Sequence, residues 1–320
     1  MKEEDLHWAD EKEAIKTNKP LLLVLKMMNF IPSFIIRCLV FPVSFFYLIF
    51  SSRARKESVR YQKQLRKFTD GKVPFRISPY RQIVSFSLSV FEKMEGWLGK
   101  VEPSRVQLQN DSLNEMLEDL KSGKGAVALT AHFGNMELMR AISNVPVYAV
   151  MNVKVGKQFT DTLKMINPNS IVNVIDSDSV GPDTMVFLID EIEKGALVVS
   201  TGDRPSANAR ERILKYPFLG KDAEFPYGVF LMVALLKKPV YYMFGFRERF
   251  SIFDSNYKLY VEKSKIDFNC RRAEREERIN QCCKEFVEKL EKFCLLYPYQ
   301  WYNFHNFWKL QNEESWRKLK

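Results

Sequence analysis

The chain has 320 residues, enough for one large domain with an appendage or for two small domains. Its hydrophobic fraction of 46%, with 25 Phe and 13 Tyr, excludes a disordered chain and favours an apolar ligand or a membrane surface. A net charge of +10 favours an anionic partner such as nucleic acid, acidic lipid or an acidic carrier protein. The five cysteines form no C-x-x-C pair and no metal-like spacing, so we expect a reducing compartment, no disulfide and no metal site.

The N-terminal region changes from polar to apolar character. Residues 1–19 are polar, residues 20–50 are strongly apolar, and Phe30–Phe50 is long enough to cross a bilayer. Arg37 lies inside that stretch and would be costly in the bilayer core unless its charge reached the surface. A transmembrane span and an interfacial hairpin broken at the two prolines therefore both remain open. A cleaved signal peptide is not expected, because the apolar stretch starts late and no small-residue cleavage site follows.

Seven basic residues follow the apolar stretch, between positions 53 and 67. Their place predicts that this flank and the domain behind it lie on the cytoplasmic side of a membrane, where the basic cluster would bind anionic headgroups. Nucleic acid is not expected as a partner, because the cluster adjoins an apolar segment and no nucleic-acid-binding module follows. We therefore divide the chain into a membrane anchor with a basic flank, residues 1–67, and a second domain, residues 68–320.

Beyond position 78, amphipathic helices alternate with apolar strands. Helices are predicted at 79–98, 113–121, 159–166, 183–194 and 229–236, and a long helix carries an apolar stripe from Ile279 to Cys294. Strands are predicted before His132 and at 147–153, 171–175, 196–201 and 239–244, with an edge hairpin in 251–262. This alternation predicts an α/β fold of αβα layers, with a mainly parallel central sheet flanked by helices.

The stretch 125–140 carries the first candidate for chemistry. It reads as a buried strand that ends at His132, a tight bend at Gly134 and a helix that opens at Asn135, and open α/β sheets bind ligands at such strand ends. The bend allows Glu137 to turn back toward the imidazole. A carboxylate on one ring nitrogen leaves the other to take a proton from a hydroxyl, so the pair is a candidate general base with its orienting acid. Spacing alone does not separate this from a buried His132 bonded to a backbone carbonyl, with Glu137 in solvent.

Several motifs, in this order along the chain, resemble the lysophospholipid acyltransferase superfamily. The resemblance is to the branch of bacterial lipid A biosynthesis acyltransferases and related aryl polyene and glycolipid acyltransferases. It covers most of the chain, and the order and spacing of the motifs carry it. The motifs are the hydrophobic anchor with its basic flank, His132-Phe133-Gly134-Asn135-Met136-Glu137, Gly202-Asp203-Arg204-Pro205, Phe218-Leu219-Gly220 with Ala223 to Gly228 downstream, Lys238-Pro239-Val240, and Pro298-Tyr299-Gln300-Trp301.

The resemblance implies a membrane-associated O-acyltransferase at the cytoplasmic face of the inner membrane. It would move a fatty acyl group from an acyl thioester, of acyl carrier protein or of CoA, to a hydroxyl of a lipid or glycolipid, with no further cofactor. His132 would deprotonate that hydroxyl while Glu137 holds the ring. Gly134 and Asn135 would contribute to substrate binding, and backbone N–H groups around Gly134, or the Lys154 side chain, would supply oxyanion donors.

Other residues would complete the site. Taken alone, Asp203 is explained as a turn former and Arg204 as a surface cation. Beside His132 they would line the same rim, where the planar fork of Arg204 suits a phosphate. Four aromatic residues would form apolar walls for the acyl chain, although core packing explains them equally well: Phe133, Phe218, Phe225 and Tyr227. The aromatic tail 297–308 suits a headgroup belt, a lid over an acyl groove, or packing against the sheet.

Glycerolipid members of the superfamily carry Glu-Gly-Thr where this chain has Thr201-Gly202-Asp203-Arg204, so a glycerol phosphate acceptor is not expected. Two other functions stay open. A thioesterase or lipase-like hydrolase would use the same His–Glu pair to activate water, although the chain has no G-x-S-x-G nucleophile motif. A membrane scaffold of this fold would perform no chemistry.

Overall fold

The computed structural model describes residues 19–73, 75–98, 100–110, 112–135, 145–152, 172–204, 212–249, 251 and 255–308. The helix predicted at 159–166 and the candidate site residues Glu137 and Lys154 lie outside this described part of the chain.

The described elements, numbered here in chain order, match most of the predicted ones to within a few residues. The helices are α1 (Lys19–Phe30), α2 (Ser33–Phe50), α3 (Ser52–Phe68), α4 (Pro79–Trp97), α5 (Ser112–Lys121), α6 (Pro182–Glu193), α7 (Tyr227–Leu236) and α8 (Arg272–Leu296). The strands are β1 (Val106–Leu108), β2 (Ala126–Thr130), β3 (Val147–Met151), β4 (Val172–Asp176), β5 (Leu197–Thr201), β6 (Ile213–Phe218), β7 (Lys221–Pro226), β8 (Val240–Arg247) and β9 (Tyr257–Lys263).

Seven strands form one mostly parallel sheet in the order β1-β9-β8-β2-β5-β3-β4. The strands from β8 to β4 all run in one direction, while β9 is antiparallel to β8 and β1 is parallel to β9. An edge hairpin was predicted at 251–262, and β9 does pair with β8 as in a hairpin. The predicted edge position is wrong, because β1 pairs with the other side of β9. The three residues of β1 are too few to show a strand pattern in the sequence. The strands β6 and β7 form a separate antiparallel hairpin.

Helices cover both faces of the sheet, as an α/β fold requires. Along β2, Val127 and Leu129 belong to the larger hydrophobic core with α8, whereas Ala126 and Ala128 face a smaller core with α5. This alternation follows from the two-residue period of a strand. All five residues of β2 and all eight of β8 are buried, which explains why these strands read as continuous apolar runs.

The apolar helix α2 packs along α4 with one face only. Its Arg37 is buried there, and the guanidinium lies 2.6 Å from a Glu95 oxygen and 2.8 Å from the Ser255 hydroxyl. Farther along, the Ser44 and Ser87 hydroxyls lie 3.0 Å apart. The positive charge of Arg37, which lies inside an apolar stretch of the sequence, is therefore neutralised by Glu95. Large apolar side chains on the other face of α2 are exposed: Phe34, Ile35, Leu39, Val43, Phe45, Phe46, Tyr47, Ile49 and Phe50.

The basic helix α3 also belongs to the folded body. Tyr61 and Leu65 lie in the larger core, and the Tyr61 and Trp301 rings meet edge to face at 4.9 Å. The Gln64 side chain donates to the carbonyl of Leu219 in the hairpin turn at 2.6 Å. The boundary proposed between residues 67 and 68 therefore falls at the end of a helix whose apolar side packs against the second domain.

Candidate active site

The candidate site lies at the carboxyl ends of two neighbouring parallel strands. In the register of β2 and β5, Thr130 is paired with Thr201, and the Gly202 N–H extends the ladder by donating to the Thr130 carbonyl at 2.8 Å. His132 lies two residues after Thr130, and Asp203 lies two residues after Thr201. The sheet register therefore brings the two side chains together.

His132 and Asp203 form a hydrogen-bonded pair. His132 Nδ1 lies 2.8 Å from Asp203 Oδ1, and the backbone N–H of His132 lies 3.1 and 3.2 Å from the two carboxylate oxygens. Asp203 is 1% exposed, whereas the His132 side chain is 34% exposed. The carboxylate is thus sealed inside the protein, while part of the imidazole can be reached from outside.

The aromatic tail holds this pair in place. The Trp301 indole N–H donates to Asp203 Oδ2 at 3.0 Å, and the Tyr302 N–H donates to the His132 carbonyl at 2.8 Å. Trp301 also forms a bridge with Phe133, and its side chain is fully buried. Of the alternatives for the tail, the structure shows packing against the sheet for this part. The role of Trp301 at the site has no signal in the sequence, because one Trp among many aromatic residues of the tail does not stand out.

The surroundings set the charge states of the pair. Burial lowers the pKa of His132 most, the nearby Arg204 cation lowers that pKa further, and Asp203 acts in the opposite direction. Although burial works to raise it, the pKa of Asp203 falls to about 2, because His132, Arg204 and the Trp301 N–H all stabilise the carboxylate. At neutral pH the pair is therefore a carboxylate that holds a neutral imidazole.

The backbone around Gly134 is occupied by structural hydrogen bonds. Gly134 has φ +57°, and a Cβ built there would lie 1.8 Å from the Gly245 carbonyl oxygen, so only glycine fits. The N–H of Gly134 donates to the Gln300 carbonyl at 2.8 Å, and the N–H of Asn135 donates to Gly245 at 2.9 Å. These two N–H groups are thus not available as the predicted oxyanion donors. The Asn135 side chain is buried.

Arg204 lies at the same end of the sheet as predicted, with Nη2 donating to the Tyr302 carbonyl at 2.8 Å. Its charge also reaches a second histidine. Burial lowers the pKa of His305 well below its usual range, Arg204 lowers it further, and smaller effects come from Asp203 and His132. His305 is therefore a neighbour of the site. The sequence does not predict this, because the residue five places after His305 is Leu310 rather than an acid.

Three of the four aromatic residues predicted as acyl-chain walls are buried in the hydrophobic core. Phe133, Phe218 and Phe225 are at most 1% exposed and belong to the larger core. Tyr227 is half-buried; its hydroxyl donates to Glu276 at 2.9 Å, and the Arg212 guanidinium lies 4.3 Å from its ring centre. Core packing, the alternative that the sequence left open, accounts for the three phenylalanines.

Among the described residues, Asp203 is the carboxylate that contacts the His132 ring. It was predicted to line the rim, and the structure instead buries it behind the imidazole. The predicted contact of Glu137 with His132 lies outside the described residues. Within the described part of the chain, no cluster of three or more His, Cys, Asp or Glu side chains is arranged to hold a metal ion.

Such a pair has a defined chemical capacity. A carboxylate on Nδ1 keeps the ring proton on that nitrogen, so Nε2 carries the lone pair. No described residue hydrogen-bonds to Nε2. Fold and site thus define an α/β protein with a hydrogen-bonded histidine–aspartate pair at the carboxyl ends of parallel strands. In comparisons with known proteins, no family model and no curated protein matches the chain.

Proposed function

We propose that the protein is a membrane-associated O-acyltransferase. It would transfer a fatty acyl group from an acyl thioester, of acyl carrier protein or of CoA, to a hydroxyl of a lipid or glycolipid at the cytoplasmic face of the inner membrane. The observation that carries the proposal is the His132–Asp203 pair, with its buried carboxylate and partly open imidazole. The motif order described above supports an acyltransferase-like αβα fold for this site.

In the proposed reaction, His132 Nε2 takes the proton of the acceptor hydroxyl as the oxygen attacks the thioester carbonyl carbon. Asp203 stabilises the imidazolium that forms. The tetrahedral intermediate then collapses and the C–S bond breaks. His132 gives its proton to the departing sulfur, which leaves as a thiol. The products are an ester and a free thiol, and the base is regenerated without an acyl-enzyme. General-base assistance of this kind contributes about 10²–10⁴-fold to a rate.

The exposed face of α2 supports contact with a membrane. By length and composition, Ser33–Phe50 is the one described helix that could cross a bilayer. Its opposite face is fixed to α4 through Arg37 and Glu95. Inserting only the exposed face into the interface leaves this ion pair inside the protein, whereas a free-standing span would place Arg37 in hydrocarbon. The proposal therefore favours an interfacial hairpin of α1 and α2 over a span.

Product analysis tests the reaction class. Membranes that contain the protein are incubated with a radiolabelled acyl thioester, and the lipids are separated from free fatty acid. The proposal predicts label in an esterified lipid. Release of labelled fatty acid without lipid acylation would instead assign the pair to hydrolysis, since the same base can activate water. Unchanged thioester would favour a scaffold.

A further inference from the structure

A concave site lies apart from His132. A cavity of about 690 Å³ is formed by the end of α3, the start of α4, the end of β8 and residues 296–300. Sites for small molecules typically measure about 300–1,000 Å³. Neither His132 nor Asp203 lines this cavity. It is therefore large enough for a ligand of its own.

The walls of the cavity carry an excess of positive charge. Four exposed arginines from separate segments line it: Arg66, Arg76, Arg81 and Arg249. Within the described residues, none of the four forms a salt bridge. The acid in the wall, Glu248, lies 3.5 Å from Lys258 instead. A fifth arginine, Arg247, is buried and paired with Glu92 at 2.7 Å. Four like charges with no carboxylate paired to any of them repel one another, and a bound anion would relieve that repulsion.

Arg81 lies where a helix end also favours an anion. Arg81 lies in the first turn of α4, which contains no acidic residue, and Ser78 caps the helix by accepting from the Arg81 N–H. The N-terminal end of a helix is partially positive, so a cation is disfavoured there and an anion is favoured. A ligand anion at this place would be stabilised by both the arginines and the helix.

Aromatic rings complete the cavity. The Arg81 guanidinium lies 5.8 Å from the centre of the Tyr299 ring, and Phe75 meets that ring edge to face at 5.9 Å. The Tyr299 hydroxyl donates to the Arg76 carbonyl. These contacts fix the segments that carry two of the arginines. Guanidinium groups on ordered segments bind phosphate oxygens through paired N–H donors.

We propose that this cavity binds a phosphorylated ligand that carries two or more negative charges. The phosphate would come either from a soluble phosphoester, such as the phosphates of an acyl donor, or from a lipid headgroup. The inference goes beyond the proposed function, because binding here can be measured whether or not His132 is catalytic.

Gln300 connects the cavity to the candidate active site. It lines the cavity, its side chain bonds to the backbone N–H and carbonyl of Arg247, and its carbonyl accepts from Gly134. The next residue, Trp301, donates to Asp203. A ligand in the cavity would therefore contact the segment that holds the His132–Asp203 pair.

Titration calorimetry on the full-length protein in neutral detergent tests the proposal. The probes are inorganic pyrophosphate and dioctanoyl phosphatidic acid. The test variant is Arg76→Gln/Arg81→Gln, and Arg66→Gln/Arg249→Gln is a second variant in case the first does not fold. The control is Arg271→Gln/Arg272→Gln, two exposed arginines outside the cavity with the same change in charge. His132→Ala is titrated in parallel.

We expect the wild type, the control and His132→Ala to bind alike, and each cavity variant to bind at least about 10-fold more weakly, since hydrogen bonds to charged groups are lost. Preference for pyrophosphate would identify a soluble phosphoester, and preference for phosphatidic acid a headgroup. Equal binding by the cavity variants and the control, or no binding of either probe by the wild type, would overturn the proposal. Neither result bears on acyl transfer, which the product analysis measures separately.

Discussion

His132 and Asp203 act as one unit, because each determines the protonation of the other. The buried carboxylate lies on Nδ1 at 2.8 Å and fixes the ring, while the Trp301 N–H fixes the carboxylate. The imidazole is the only member of the three with substantial exposure. A proton exchanged between this unit and a substrate would therefore pass through the imidazole.

Replacing Asp203 by Asn should impair catalysis more than folding. The amide keeps the shape of the side chain but removes the charge that stabilises the imidazolium, and it no longer selects the reactive tautomer. We expect kcat to fall by about 10²–10⁴-fold. Acyl-transfer kinetics measure the effect, with circular dichroism as the check on folding. A kcat within twofold of the wild type would remove Asp203 from the mechanism.

The pH dependence should follow the pKa of His132. Because burial and the Arg204 cation lower the pKa of His132 from its ordinary value, the neutral base persists into mildly acidic solution, and the fall in kcat/KM should lie at lower pH than for a free imidazole. Replacing Arg204 by Gln removes a cation that disfavours the imidazolium. The acidic limb of the kcat/KM profile should therefore move to higher pH. A limb that stays in place or moves to lower pH would show that another group titrates.

At the residue scale, the sequence predicted that His132 lies at a strand end, and the structure places it there. The sequence did not predict the bond between His132 and Asp203, because 71 residues separate them. The predicted contact with Glu137 lies outside the described residues. Asp203 was noticed as part of a polar cluster after a strand. Joining the two required the knowledge that β2 and β5 are neighbours, which depends on the order of strands in the sheet.

At the scale of elements, the junction of α2 with α4 depends on a buried ion pair. Replacing Arg37 by Met should leave the Glu95 carboxylate buried without its cation and lower the free energy of unfolding by about 3–5 kcal/mol. The double variant Arg37→Met/Glu95→Met should recover most of that loss, because no unpaired charge remains. Denaturant unfolding in detergent measures both. If the single and double variants were equally destabilised, lost packing rather than an orphaned charge would be the cause.

Membrane binding should depend on the exposed face of α2. Val43 is 63% exposed on that face, and Val186 on α6 is 60% exposed, so the two provide a matched comparison. Val43→Asp should weaken binding to anionic vesicles by about 10-fold, because a carboxylate is costly in the membrane interior. Val186→Asp should bind as the wild type does. Vesicle sedimentation compares them, and equal loss in both variants would contradict an interfacial role for α2.

Helices with a clear period and strands with continuous apolar runs were predictable. Helices such as α4 and α8 carry enough apolar positions to show the helical period, and strands such as β5 and β8 stand out as apolar runs. The strand β1 is too short for this, and the β6–β7 hairpin was not assigned. The burial of Arg37 was also missed, because an apolar stretch with one charge reads as a membrane segment until its partner helix is known.

On the scale of the whole molecule, the site is assembled from three distant parts of the chain: His132 after β2, Asp203 after β5 and Trp301 in the tail. Neighbouring strands of the sheet position His132 and Asp203, and the C-terminal tail passes the carboxyl ends of these strands and positions Trp301. The sequence could predict the α/β class from alternation alone. It could not predict this assembly, which depends on sheet order and on where the tail returns.

The same arrangement explains why binding and catalysis can be tested separately. The exposed face of α2 faces away from α4, the arginine cavity lies beside residues 296–300, and the imidazole lies at the sheet end. Because different residues form the three surfaces, a substitution can be made on one of them without replacing a residue of the other two.

The most direct test is the rate of acyl transfer by purified, folded His132→Ala. If His132 is the base, the variant should retain the wild-type circular dichroism spectrum and unfolding midpoint while kcat falls by at least about 10²-fold. Undiminished acylation of the lipid acceptor by this variant would contradict the account, because the hydroxyl would then be activated by some other group.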